Sequence, residues 1–293
     1  MKLKKNITPY LYLLPTMIIL ILFVFYPLAR AIQYSFTDFN LLSPPKWIGL
    51  ENYKTLFKSD SFYRALLNTL KYFIVVVPVL VILPLLIAVL VNDTKLKGVT
   101  IFRTIYYFPV VTSMVVAGII WKWMYMEKGL LNYVLYNLLH LISEPISYLT
   151  NPNTALFCIM VVTIWKGLGY YMVLYLAGLQ SINKELYEAA TIDGASKFKQ
   201  LRSITVPLLA PTIAVVAIMS SMAAMKVFDE IYVMTAGGPF NSTRTLVYEI
   251  YDTAFDKLKF GYASSIGVIL FILLFVFSYI SMKNSEKTYR GVA

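Results

Sequence analysis

The chain has 293 residues, of which 59% are hydrophobic and only 14% charged, with a formal net charge of +11. An average soluble domain carries about 25% charged residues, so the composition argues against a soluble fold of this size. The basic residues lie between and beside long apolar runs, where they would face lipid head groups and not nucleic acid, and the single cysteine, Cys158, sits inside such a run, so neither a disulfide framework nor a cysteine metal site is available.

Runs of about 18 to 25 apolar residues predict six membrane-spanning helices in chain order. They are Tyr10 to Leu28, Tyr72 to Val91, Ile105 to Trp123, Ala155 to Leu179, Leu208 to Met225 and Tyr262 to Met282. The first follows Lys2, Lys4 and Lys5, but it is too long for a signal peptide and has no small-residue cleavage site, so it reads as a retained helix. Tyr10, Tyr12, Tyr106, Tyr107, Trp121 and Trp123 sit near span ends, where amphipathic rings favour the lipid interface. Pro15, Pro78, Pro84, Pro109 and Pro211 fall within spans, and each missing N–H predicts a loosened or kinked helix.

With both termini in the cytoplasm, the inside segments hold about 13 Lys/Arg in roughly 60 residues, against about 11 in roughly 110 outside, the bias expected for that orientation. The outside connections are then long, including 31–71, and the inside ones short, about 13 and 28 residues, too short for a nucleotidase domain. No internal repeat or low-complexity tract divides the sequence. The reading is one all-α, polytopic transmembrane domain over 1–293, with a structured cytoplasmic loop at 180–207, retained in a bacterial plasma membrane.

Catalytic constellations are absent: there is no Gly-x-Ser-x-Gly elbow, no His-Glu-x-x-His and no Gly-x-x-x-x-Gly-Lys phosphate loop, and His140, the only histidine, falls in an external segment and is given no role. Active transport by such a chain needs either buried carboxylates to couple an ion gradient or ATP hydrolysis borrowed from another polypeptide. The central parts of the spans hold no Asp or Glu. Lys166 alone lies well inside one, whereas Lys122 can snorkel and Lys226, Asp229 and Glu230 stand at a span end, a pattern that disfavours ion coupling.

The loop from Ser181 to Pro207 reads as two short helices. Asn183 caps the first, with Glu185 in its opening turn and Leu186, Ala189 and Ala190 on one face; Gly194 reverses the chain; Ser196 caps a second helix through about Ser203, and Pro207 suits the first turn of the next span. Ala189, Ala190, Gly194 and Ala195 leave a surface that a partner could approach closely. Spacing alone fits an amphipathic segment on the inner leaflet equally well.

A resemblance decides between these. Glu188-Ala189-Ala190, Gly194, Ile204 and Pro207, with Asp193 beside the glycine, resemble the EAA motif of permeases in binding-protein-dependent ATP-binding-cassette (ABC) importers of type I, the MetI-like fold. Phe102 to Pro109, Trp165 to Tyr170, Leu176 to Ile182, Gly237 to Tyr248 and Gly261 to Ser264 are similar to the carbohydrate branch, whose maltose and glycerol-3-phosphate subunits are MalF and UgpA. The resemblance implies a second permease subunit, two cytoplasmic ATPase subunits that bind ATP and magnesium, an external solute-binding protein that delivers sugar, and no cofactor in this chain. It also implies that Glu188, Ala189, Ala190, Asp193, Gly194, Ala195, Ile204 and Pro207 dock on an ATPase subunit, whose closure drives alternating access.

By the same resemblance, Thr163, Lys166, Gly167, Tyr170, Ser220 and Asp229 belong to the substrate pathway, although Ala224 and Val227 replace asparagines of the maltose subunit and speak against maltose itself. Ordinary helix packing explains small and hydroxyl residues at these positions as well. Lys166 could pair with an acidic sugar. Two other classes stay open on residues alone: a secondary carrier coupled to an ion gradient and working by itself, and a structural or assembly protein of the membrane.

Overall fold

The computed structural model describes residues 3–92 and 98–290. Lys2 and the middle of the first short inside loop, 93–97, lie outside the described residues.

The elements are helices almost throughout. In order they are α1 (Leu3–Leu20), a π-helical turn (Ile21–Phe25), α2 (Tyr26–Tyr34), β1 (Thr37–Asp38), β2 (Lys46–Trp47), α3 (Glu51–Leu56), α4 (Asp60–Val91), α5 (Val99–Val111), α6 (Met114–Met124), and α7 (Leu130–Asn132) with a π-helical turn at Tyr133–Leu138. There follow α8 (Ala155–Gln180), α9 (Glu185–Ile192), α10 (Lys197–Gln200), a π-helical turn (Leu201–Thr205), α11 (Val206–Leu208), α12 (Ala210–Met225), α13 (Asp229–Met234), α14 (Leu246–Tyr251), a π-helical turn (Asp252–Asp256) and α15 (Phe260–Arg290).

Four helical stretches are long and apolar enough to cross a membrane, namely Tyr10–Tyr34, Asp60–Val91, Ala155–Gln180 and Phe260–Ser281. Six are reached when two bent pairs each count as one span. The third predicted span is not continuous: α5 and α6 meet at 101°, with the break at Thr112 and Ser113. The fifth is shorter than expected, because the helical stretch 197–208 meets α12 at 72° and Pro211, not Pro207, occupies the first turn of the span. Proline does not set the larger kinks by itself, since α4 runs 32 residues through both Pro78 and Pro84.

The chain divides into two compact units, one of 1–62 with 249–272, the other of 63–248 with 273–293. In the first, the two-residue antiparallel ladder sets Thr37 opposite Trp47 and Asp38 opposite Lys46. Asn52 donates its amide to the carbonyls of Ser35 and Thr37, both at 2.9 Å. Gly261, opening α15, donates its N–H to the Phe39 carbonyl at 3.0 Å, and a Cβ there would collide with the Thr37 carbonyl. A methyl group at 261 would push the ladder off the helix.

In the second unit, α8 is the central post, with α5 and α12 packed along it and α13 against it and α6. Its core joins Tyr72, Val76 and Leu80 of α4 to Ile159, Val162 and Met172 of α8 and Ile231 and Met234 of α13. Gly169 lets the α5 backbone reach α8 at Tyr106, where any side chain would strike the carbonyl. Close approach through small residues is how helices pack where lipid removes the hydrophobic drive between them. Trp121 belongs to this packing and not to an exposed interfacial belt, with its ring 5.5 Å from Trp165 and 5.4 Å from Tyr125. Tyr10, Tyr12 and Trp123 are exposed. Cys158 is buried.

Candidate functional site: an exposed helix-turn-helix and an interior polar cluster

The loop after α8 is two helices around one tight reversal. Asn183 accepts the Glu185 N–H at 3.1 Å and donates to the Glu185 carboxylate at 3.0 Å, so it caps α9 as its side chain promised. At the other end Gly194 has φ +75°, the left-handed conformation glycine adopts without cost. The N–H of Ala195 reaches back to Ala190 at 2.8 Å and that of Gly194 to Thr191 at 3.1 Å, the paired closure that satisfies terminal carbonyls. Ser196 then caps α10 by accepting the Lys199 N–H at 3.3 Å. The second helix does not stop near Ser203 but continues through the π-helical turn to Leu208.

Three hydrogen bonds hold the halves together. The buried Gln200 amide donates to Thr191 at 2.9 Å and to the Ala195 carbonyl at 3.2 Å, and the hydroxyls of Tyr187 and Thr205 meet at 2.9 Å. With its polar groups satisfied internally, the motif turns outward the rest of its side chains. Glu188, Ala189, Asp193, Gly194 and Pro207 are exposed, and Ala190, Ala195 and Ile204 half-buried. Ile192 and Phe198 are 86% and 72% exposed. The element presents a carboxylate, small residues and two bare apolar side chains.

The six pathway candidates do not form one surface. Thr163, Lys166, Gly167 and Tyr170 follow the three- and four-residue spacing of one face of α8. Gly167 is packed against Leu80 of α4, where an added Cβ would lie 2.8 Å from the Leu80 side chain. Ser220 is fully buried and returns its hydroxyl to the Val216 carbonyl of its own helix at 2.7 Å, which makes it a packing residue. Tyr170 is exposed, its ring against Tyr171 at 5.1 Å. Asp229 is exposed at the start of α13.

Lys166 is half-buried and spends its ammonium on backbone, donating to the Thr112 carbonyl at 2.7 Å and more weakly to Val110 at 3.5 Å. These are carbonyls released by the break between α5 and α6. Lys122 likewise donates to the Val233 carbonyl at 3.3 Å.

Thr163 leads to a group that the sequence reading set aside. Its hydroxyl donates to the Glu230 carboxylate at 2.9 Å and is met in turn by the hydroxyl of the fully buried Tyr72. Glu230 follows the fifth span in sequence, but α13 turns it in against the middle of α8. Glu230 thus stands outside the spans in sequence yet against one of them in space. The signal that could have marked it is a second acidic residue directly after an apolar run, with no glycine or proline to end the buried region.

The loop 237–248 is also built to hold shape. Thr243 bonds Thr235 at 2.7 Å and the Gly238 carbonyl at 2.8 Å, while Asn68 of α4 donates to the carbonyls of Arg244 at 3.0 Å and Asn241 at 3.2 Å.

Multiple long apolar helices around a polar interior, with one exposed helix-turn-helix, are the features of a multi-pass membrane transport subunit. The chain belongs to the family of binding-protein-dependent transport system inner membrane components, whose family model matches residues 53–291. It is 38% identical over 284 residues to a probable ABC transporter permease protein of Pyrococcus horikoshii, covering 94% of this chain and 96% of that one. To the lactose transport system permease protein LacF of Rhizobium radiobacter it is 33% identical over 279 residues, covering 94% and 93%. A solved bacterial ABC transporter chain, from a system involved in the import of the acidic polysaccharide alginate, superposes with a TM-score of 0.84 at 28% identity, covering 98% of this chain and 99% of that one.

Proposed function

We propose that this chain is one permease subunit of an ATP-driven importer that moves a sugar delivered by an external binding protein, working as a single transmembrane domain with a second permease subunit. The observation that carries the coupling is the internally braced, outward-facing helix-turn-helix from Glu185 to Leu208. Two cytoplasmic ATPase subunits would bind ATP and magnesium, and one of them would grip Glu188, Ala189, Ala190, Asp193, Gly194 and Ala195, with Ile204 and Pro207 at the base. Closure of the ATPase pair then moves this rigid element and, through the 72° bend into α12, the helices around the pathway. The orientation with both termini in the cytoplasm follows from placing this loop beside the ATPases, and agrees with the density of basic residues.

Sugar as the substrate class is supported by the lactose and alginate systems among the relatives and by the aromatic and hydroxyl side chains of α8. Of the pathway candidates, Tyr170 and Thr163 stay in the proposal; Gly167 and Ser220 contribute packing, Lys166 caps carbonyls at the α5–α6 break, and Asp229 is exposed at the start of α13.

The test is ATP hydrolysis by the complex purified through this chain, with and without binding protein loaded with different oligosaccharides. Stimulation by one loaded binding protein, abolished by Glu188→Lys or Gly194→Asp while the chain stays in the membrane, is expected. Normal transport by both variants overturns the docking assignment.

A further inference from the structure

Glu230 is an interior carboxylate without a counter-ion. No Lys or Arg forms an ion pair with it among the described residues, and the nearby cation Lys166 is committed to the Thr112 and Val110 carbonyls. Its side-chain donor is Thr163. Because Thr163 gives its only hydroxyl proton to Glu230, Tyr72 must donate to Thr163, and the three groups form a one-way chain that ends on the carboxylate. An ionised carboxylate has about four acceptor sites, so this arrangement holds the group in place while leaving most of its acceptor capacity open. Glu230 as a residue is half-buried. An intramembrane ionisable group with such incomplete pairing marks a binding function by default.

The chemistry of the missing partner is constrained. It must bring hydrogen-bond donors, because the carboxylate only accepts, and Asp229, a second carboxylate beside the first, disfavours a partner that brings negative charge. Adjacent sugar hydroxyls are donors spaced to meet two carboxylate oxygens. Tyr170, exposed and at helical spacing on the face of α8 that carries Thr163, is an aromatic side chain of the kind that packs on the apolar side of a sugar.

We infer that Glu230, held by Thr163 and Tyr72, is a specificity-determining residue that accepts hydrogen bonds from a neutral sugar and turns away acidic ones. This rests on the importer reading above, and it separates the chain from its alginate-importing structural relative.

The experiment is uptake into proteoliposomes holding the whole complex, using a panel of neutral di- and trisaccharides and the corresponding uronates as probes. Wild type is expected to move at least one neutral probe and no uronate. Glu230→Gln, in the assembled complex, is expected to raise KM for that neutral probe at least tenfold. Should Glu230→Gln fail to assemble, Thr163→Val, which frees the carboxylate from its anchor, is expected to raise the same KM at least threefold. An unchanged KM in the variant tested, or uronate uptake by wild type at a rate comparable to the neutral probe, overturns the inference alone. No sugar uptake by wild type overturns the importer reading and this inference with it.

Discussion

Gln200 closes the helix-turn-helix through Thr191, its amide donating to that hydroxyl at 2.9 Å from a side chain only 4% exposed. Gln200→Ala removes this bond and the one to Ala195, each worth about 0.5–1.5 kcal/mol. The motif should loosen while the spans do not. Limited proteolysis is expected to cut between 185 and 208 many times faster in the variant, with the far-ultraviolet spectrum unchanged.

Gly194 tests conformation separately from space. Nothing lies within 4 Å of a Cβ built there, so Gly194→Ala meets no clash and pays only for its left-handed backbone, about 1–2 kcal/mol. Asn enters that region more readily. ATP hydrolysis coupled to transport is therefore expected to rank wild type, then Gly194→Asn, then Gly194→Ala, and equal coupling in all three would separate the turn from its function.

Two glycines in long helices should behave oppositely. Gly169→Ala forces a methyl group onto the Tyr106 carbonyl, a backbone atom that cannot swing aside, whereas Gly267→Ala meets nothing within 4 Å. The first is expected to cost about 1–3 kcal/mol or more, and the second to be neutral or slightly favourable. Thermal unfolding in detergent reads the difference, with a lowered Tm for Gly169→Ala alone.

Lys166→Met is expected to destabilise without changing selectivity. The ammonium caps carbonyls at the α5–α6 break, and losing a charged donor there costs about 1.5–3 kcal/mol. Uptake by the variant should be lower for every probe in the same proportion. A selective change between neutral and acidic probes would give Lys166 direct contact with substrate.

Hydropathy made the spans legible because crossing a membrane is a local demand on composition, met residue by residue along Ala155–Gln180 or Phe260–Ser281. Caps and reversals were legible for the same reason: Asn183, Gly194 and Ser196 act within a few residues of themselves. The breaks were not. Thr112-Ser113 and Lys226-Val227-Phe228 contain neither glycine nor proline, and the first is held open by Lys166 from a distant helix. Glu230 stayed hidden because its burial is decided by how α13 packs on α6 and α8, a tertiary fact that a span-by-span reading cannot carry. Ser220 shows the opposite case, since its hydroxyl is satisfied by its own helix, which composition alone does not reveal.

The first long helix, Tyr10–Tyr34, has none of its apolar window buried within this chain. Its side chains answer to surroundings and not to a fitted cavity. Exchanges among Leu, Ile, Val and Phe differ by only about 0.3 kcal/mol in membrane insertion, so a stretch bathed in lipid can drift freely among them. A stretch lying in the groove of another subunit cannot. Substitution tolerance along this one helix would thus map, position by position, where the lipid ends and the neighbouring protein begins.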